Sequence, residues 1–180
     1  ARFRSLLCMR RVLITGMSGT GKSTLIVELR ALGYKAIDTG WDPKWEEPDR
    51  GPDAGSGWVW REDRIEALLS TEDAQVLFVG ACVPNQGRFY RRFDAVVLLT
   101  APEAVIVERL RNRTNNPYGK SGEELGEVLR NKAEIEPMLR KRATSEIDTS
   151  VSVADVISAV LSQVDSQHID PRRDTTEGQS

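Results

Sequence analysis

Eight consecutive residues constrain this chain more than any other part of it. Gly16-Met17-Ser18-Gly19-Thr20-Gly21-Lys22-Ser23 satisfies G-x-x-x-x-G-K-[ST] at every fixed position. Residues 11–15 before it are compact, apolar and β-branched, as a strand covered on both faces requires. After it Leu25, Leu29 and Leu32 recur at helical spacing with Ile26 beside them, and Gly33 supplies a left-handed stop. Strand, glycine loop and helix in this order aim successive backbone N–H groups at one centre, and the helix N-terminus adds its positive end. A triphosphate suits such a cradle. Gly16, Ser18, Gly19, Thr20, Gly21 and Thr24 then surround it, Lys22 reaches the β and γ phosphates, and the Ser23 hydroxyl joins the shell of a Mg2+ ion. ATP and Mg2+ are the expected cofactors.

The alternation continues along the chain. Residues 34–37, 76–79, 95–99 and 146–148 read as four further strands, separated by helical patterns over 58–70, 86–92, about 103–112, 121–139 and 154–161. Thr100 with Glu103, and Ser121 with Glu124, have capping-box spacing at two of the helix starts. Short apolar strands alternating with helices imply an α/β fold, a five-stranded parallel sheet with helices on both faces. The second strand is expected beside the first through a right-handed crossover. The 180 residues suit one domain, read here as 9–162, with 1–8 a leader ahead of Met9 and 163–180 a polar, disordered tail. Residues 38–57 are rich in Gly, Pro, Asp and Trp without a period. A loop that long in a compact domain is usually functional.

Composition narrows the function classes. Twenty-seven acidic against 25 basic residues give a net charge of -2, so no basic field exists to hold a polyanion, and no nucleic-acid partner is expected. The longest apolar runs, 76–79 and 95–99, fall far short of the roughly 20 residues of a membrane helix, and no membrane partner is expected. Cys8 and Cys82 are spaced neither as a metal knuckle nor as a redox pair, which fits a reduced, cytoplasmic chain. His168, the one histidine, lies in the tail and argues against histidine acid–base chemistry. Composition leaves the oligomeric state open.

The kind of phosphate-loop protein depends on where the acids fall. Asn131-Lys132-Ala133-Glu134 is the nearest string to a guanine reader, and it sits inside a helical pattern. The strands 76–79 and 95–99 end in Gly80 and Thr100, so neither presents a metal-directing acid. The second strand does, in Ala36-Ile37-Asp38. With the complete loop, the arginine-bearing break at Arg109, Arg113, Thr114 and Pro117, and Glu136-Pro137-Met138-Leu139 ahead of Glu146-Ile147-Asp148-Thr149, this resembles the small-molecule kinases of the phosphate-loop superfamily. These are the shikimate kinase, gluconate kinase and nucleoside monophosphate kinase group.

The resemblance implies an ATP- and Mg2+-dependent kinase. Asp38 would take the acceptor's proton or orient a Mg2+ water, sharing the metal with Ser23, and Arg109 and Arg113 would clamp phosphates as a lid over 112–120 closes. The sugar-acid kinases carry a second acid two residues after the first; this chain reads Asp38-Thr39-Gly40, so either Asp42 replaces it or the acceptor differs. All four tryptophans fall between Trp41 and Trp60, where they suit lining an acceptor pocket, stacking a base or covering the core. Trp60 and Arg61 are the expected acceptor contacts, with Arg64 and Arg88 as further anion binders and Cys82 a small buried residue. A hydroxyl acceptor is favoured, because the 42–53 loop holds more acids than bases. The alternatives are a nucleoside monophosphate kinase and, in another class, a nucleotide-binding regulatory module or slow NTPase.

Overall fold

The computed structural model describes residues 9–51, 57–114 and 116–166. Along the chain run β1 (Arg10–Thr15), α1 (Lys22–Ala31), β2 (Lys35–Asp38), β3 (Glu46–Pro48), β4 (Trp58–Trp60), α2 (Glu62–Leu69), β5 (Val76–Gly80), a 3-10 segment (Pro84–Arg92), β6 (Ala95–Thr100), α3 (Glu103–Asn112), α4 (Gly122–Arg140), β7 (Ser145–Asp148) and α5 (Val153–Ser166). Five of the strands form one sheet in the order β2-β5-β1-β6-β7, and every neighbouring pair is parallel. This is the expected α/β architecture.

Both faces of the sheet are dry, which is why its strands read as continuous apolar runs. Val12, Ile14, Phe78, Val97 and Leu99 face α1 and α5 and pack on Leu25, Ile26, Leu29, Val156 and Val160. Leu13, Leu77, Val79 and Val96 face the other way, onto Ile65, Leu68 and Leu69 of α2 and Phe89 of the 3-10 segment. Met9 is 1% exposed and belongs to this second core. Gly33 (φ 91°) ends the α1 region where the left-handed stop was expected.

Several expectations are corrected. The second strand does not lie beside the first: β2 pairs with β5, Asp38 opposite Gly80, and β5 takes the place next to β1. A right-handed crossover sets the hand of a connection and leaves open how many strands it skips. Residues 58–60 are strand and not helix, because they pair antiparallel with Glu46–Pro48 and make a two-stranded ribbon out of part of the long loop. Thr100 makes no cap; Pro102 occupies the N-cap of α3, whereas the Ser121–Glu124 capping box of α4 does form. The last helix extends to Ser166, so residues 163–166 are not tail. Residues 1–8, the remainder of the expected tail with His168, and part of the 38–57 loop lie outside the described residues.

After β1 the chain travels out to the β2 edge, then returns past β1 to β6 and β7. The order therefore reverses beside β1. In a parallel sheet such a reversal opens a crevice at the carboxyl ends of the strands.

Candidate functional site

That crevice is an open cleft of about 1990 Å³. Its floor is the 16–23 loop. Gly16, Gly19 and Gly21 have φ of 146°, 82° and 91°, values that L side chains rarely adopt, and a Cβ at Gly16 would press into the carbonyl oxygen of Leu99. No side chain caps α1, whose N-cap is Gly21, so its first turn opens onto the cleft. The Thr20 side chain is fully buried and donates to the Met17 carbonyl at 2.8 Å, so its hydroxyl braces the loop. Ser18, Ser23 and Thr24 line the cleft itself.

Lys22 begins α1 and folds back along the loop. Its ammonium donates to the carbonyls of Gly16 at 2.5 Å and Met17 at 3.0 Å. Burial pulls its pKa down; Cys82 and Asp38 oppose that, and Arg113 reinforces it. The Asp38 carboxylate acts on Lys22 from β2, at the far edge of the sheet. Asp38 ends β2, lines the cleft and accepts the Gly40 N–H at 3.1 Å. A Gly80 Cβ would meet Ile26, so the bare glycine lets β5 pass between Asp38 and α1.

Two arginines cover the opposite side. Arg109 on α3 donates to the Gly19 carbonyl at 3.2 Å and the Thr149 hydroxyl at 2.9 Å, and also to the Thr149 carbonyl. Thr149 in turn donates to the Thr20 carbonyl at 2.9 Å, so the loop after β7 is tied to the glycine loop through one hydroxyl. Arg113 closes the next turn on itself: Nε donates to the Asn116 carbonyl at 3.0 Å and the guanidinium also bonds the Tyr118 carbonyl. Burial lowers the Arg113 pKa, with Glu124 and Tyr118 opposing.

Ser23 and Asp38 both face the cleft, but among the described residues no three acidic, His or Cys side chains converge as a metal cage. That donor set fits Mg2+, which takes one or two protein oxygens and fills the rest of its shell with phosphates and water.

Three expected acceptor contacts do not line the cleft. Trp60 is 1% exposed and belongs to the core: its indole N–H donates to Thr39 Oγ1 at 2.9 Å and its ring packs edge-on to Phe89. The antiparallel ribbon points it inward. Arg61 sits against the Pro43 carbonyl at 3.3 Å, and Asp42 accepts the Lys44 N–H at 2.8 Å, both away from the lining. Arg88 pairs with Glu62 at 2.5 Å on the exposed side. Cys82 is half-buried and lines the cleft.

The structure brings forward residues the sequence did not single out. Glu46 on β3 is 4% exposed and lines the cleft; Oε2 accepts the Trp41 N–H at 3.1 Å, whereas Oε1 is buried without a partner. Burial, with Asp38 and Asp42 nearby, raises its pKa to about 7 against the pull of the Trp41 N–H. Trp41 is 65% exposed with φ 62°. For a bulky residue that conformation costs roughly 1–2 kcal/mol. Its ring lies 6.4 Å from Trp58 and 6.5 Å from Tyr118, centroid to centroid. The cluster of tryptophans was the available signal; which of them face out depends on the ribbon.

A model of the AAA domain family matches residues 12–136, well over half of the chain. The chain belongs to the AAA domain family. A relative from Carboxydothermus hydrogenoformans called a nucleotide-binding protein is 26% identical over 85% of this chain and 53% of its own length. The chain spans about half the length of the curated relatives it matches. Among solved structures, this AAA domain superposes on shikimate kinase from Acinetobacter baumannii in complex with shikimate (TM-score 0.63, 20% identity, 92% of this chain and 98% of that one). It also superposes on deoxyadenosine kinase from M. mycoides with bound dATP (TM-score 0.55, 17% identity, 86% and 99%). The fold is thus that of the phosphate-loop small-molecule kinases, as the resemblance implied. Among the described residues no helix is long and apolar enough to cross a membrane.

Proposed function

We propose that this AAA domain is a kinase that moves the γ-phosphoryl group of ATP to a hydroxyl of a small-molecule acceptor. The observation that carries this reading is Asp38, a carboxylate supplied by the β2 edge to the cleft that holds the complete glycine loop. A carboxylate there can take the proton of an acceptor hydroxyl, which a site that only holds a nucleotide does not require.

The transition state of phosphoryl transfer is loose, so the protein contributes mainly position and charge. The loop amides and Lys22 hold the β and γ phosphates, and Lys22 exchanges its two backbone carbonyl contacts for phosphate oxygens. Mg2+, held by Ser23 with Asp38 near its waters, would neutralise charge building on the β–γ bridge. Asp38 accepts the acceptor's proton as its oxygen bonds phosphorus and the bond to the bridging oxygen breaks. Arg109 already sits on the loop; Arg113 lies in the turn ahead of 116–120 and approaches as that segment closes. A hydroxyl acceptor fits better than a monophosphate: the described lining residues of 38–60 are Asp38, Gly40, Trp41, Glu46, Gly57 and Trp58, with no cation among them.

The second reading is a nucleotide-binding regulatory module. The relative named only as a nucleotide-binding protein, almost twice as long as the stretch matched, favours it. ADP release from Mg-ATP across hydroxy acids, sugars, nucleosides and monophosphates separates the two, with Lys22→Ala as the blank. Acceptor-stimulated turnover lost in Asp38→Asn supports the kinase. Calorimetric ATP binding with no stimulation by any acceptor supports the module.

A further inference from the structure

We infer that the acceptor end of this cleft is built for a neutral, planar heteroaromatic ring that carries an amino or N–H donor and an alcohol arm. The inference rests on the kinase reading for the alcohol arm, and on Trp41, Glu46, Trp58 and Tyr118 for the ring.

Trp41 is the only non-glycine residue with a positive φ among the described residues, and its indole is left largely exposed in the cleft wall. Both features oppose folding, and strained or exposed aromatic residues are retained where a ligand uses them. Trp58 on β4 and Tyr118 in the turn before α4 flank the indole with their rings inclined to it at 57° and 47° and line the same cleft, so a flat ligand has aromatic walls from both the acceptor loop and the 116–120 segment.

Glu46 makes the second, independent observation. One of its oxygens holds the Trp41 backbone N–H, so carboxyl and indole form a single unit. The other is buried, without a partner, in a residue that lines the cleft. A buried polar atom left unsatisfied is costly, and a ring donor seated against Trp41 supplies the bond it lacks. Charge argues against an anionic guest. Burial, joined by Asp38 and Asp42, raises the Glu46 pKa. The cations of the lining, Lys22, Arg109, Arg113, Lys141 and Arg142, come from the glycine loop, α3 and the end of α4, and none from the described part of 38–60. Two ligand sources share this chemistry: nucleosides, and free aminopyrimidine or pyridine alcohols.

The test is calorimetric titration of the intact chain, with Mg-ADP present, against adenosine, cytidine, 4-amino-5-hydroxymethyl-2-methylpyrimidine, pyridoxine, shikimate and gluconate. ADP release is measured in parallel with ATP. A ring alcohol is expected to bind and the two acids not to; which ring binds tells the two sources apart. Trp41→Ala should weaken the ring about tenfold or more, and Trp41→Phe should recover part of that. Glu46→Ala should weaken the ring that carries the amino group and leave its deamino analogue, such as purine riboside for adenosine, nearly unchanged. A merely structural Glu46 would weaken both alike. Mg-ADP affinity reports that each variant is folded. Binding of shikimate or gluconate alone, ring binding indifferent to Trp41→Ala, or binding of no probe at all overturns the inference. Ring binding that depends on Trp41 without any ADP release sustains the ring site and removes the kinase reading, and the alcohol arm with it.

Discussion

The Arg109 guanidinium donates to the Thr149 hydroxyl at 2.9 Å while reaching the Gly19 carbonyl at 3.2 Å, so α3, the end of β7 and the glycine loop share one hydrogen-bond node. Removing the fork breaks three bonds, and Lys cannot replace its planar geometry. Arg109→Lys is therefore expected to lower ATP affinity about tenfold and stability by ~1–2 kcal/mol, read by calorimetry and urea unfolding.

Lys22 and Asp38 should separate in their effects. Lys22→Ala removes charge from the transferring phosphates and is expected to lower kcat at least about a hundredfold. Asp38→Asn should lower kcat comparably while ATP binding stays close to wild type, because the proposal puts Asp38 on the acceptor and its hydrogen bond is to Gly40 and not to the glycine loop. Single-turnover phosphoryl transfer beside ATP titration checks both. A large loss of ATP binding in Asp38→Asn would contradict its assigned place.

Gly16 tolerates no side chain. With φ at 146° and the Leu99 carbonyl against the site of a Cβ, Gly16→Ala is expected to cost about 3 kcal/mol or more, beyond the effect of any ordinary surface change. Chemical denaturation with the ligand-free protein measures it.

Glu46 should give stability a pH dependence of unusual sign. In the folded chain it holds its proton up to about 7, and in the unfolded chain it releases it near its ordinary 4.5. Between those values the folded state binds more protons, so this group's contribution falls as pH rises from about 4.5 to about 7, then levels off. In Glu46→Gln that decline should be missing, which makes the variant relatively more stable at pH 8 than at pH 5. Unfolding midpoints across this range read the difference.

Glu136 is buried on α4 and pairs with Lys132 at 2.6 Å and Arg140 at 2.9 Å. Glu136→Ala strands the Lys132 ammonium, itself mostly covered. A cost of about 3 kcal/mol is expected, and Lys132→Met in the same chain should restore part of it. A double-mutant cycle in urea tests this.

Local chemistry was legible residue by residue. A glycine loop works through backbone conformations that eight contiguous residues impose, so β1, the loop with its positive-φ glycines, and α1 follow without a neighbour being known. Continuous apolar runs likewise announce a parallel sheet covered on both sides, and Asp38 is visible as an acid ending a strand, as Asp148 is at the end of the last one. Ser121 and Glu124 announce the start of α4 for the same reason: capping is settled within four residues.

Tertiary structure decided the rest. Which strand lies next to β1 depends on packing across the whole sheet, and β5 takes that place although β2 comes first in the chain. Trp41, Trp58 and Trp60 are chemically alike, yet the ribbon of β3 and β4 sends Trp60 beneath Phe89 and leaves Trp41 at the cleft. Burial turns Glu46 from one acid among many into the acid with an unpartnered oxygen. Backbone geometry is written in neighbouring residues, whereas burial is a property of a position and is created by residues far along the chain.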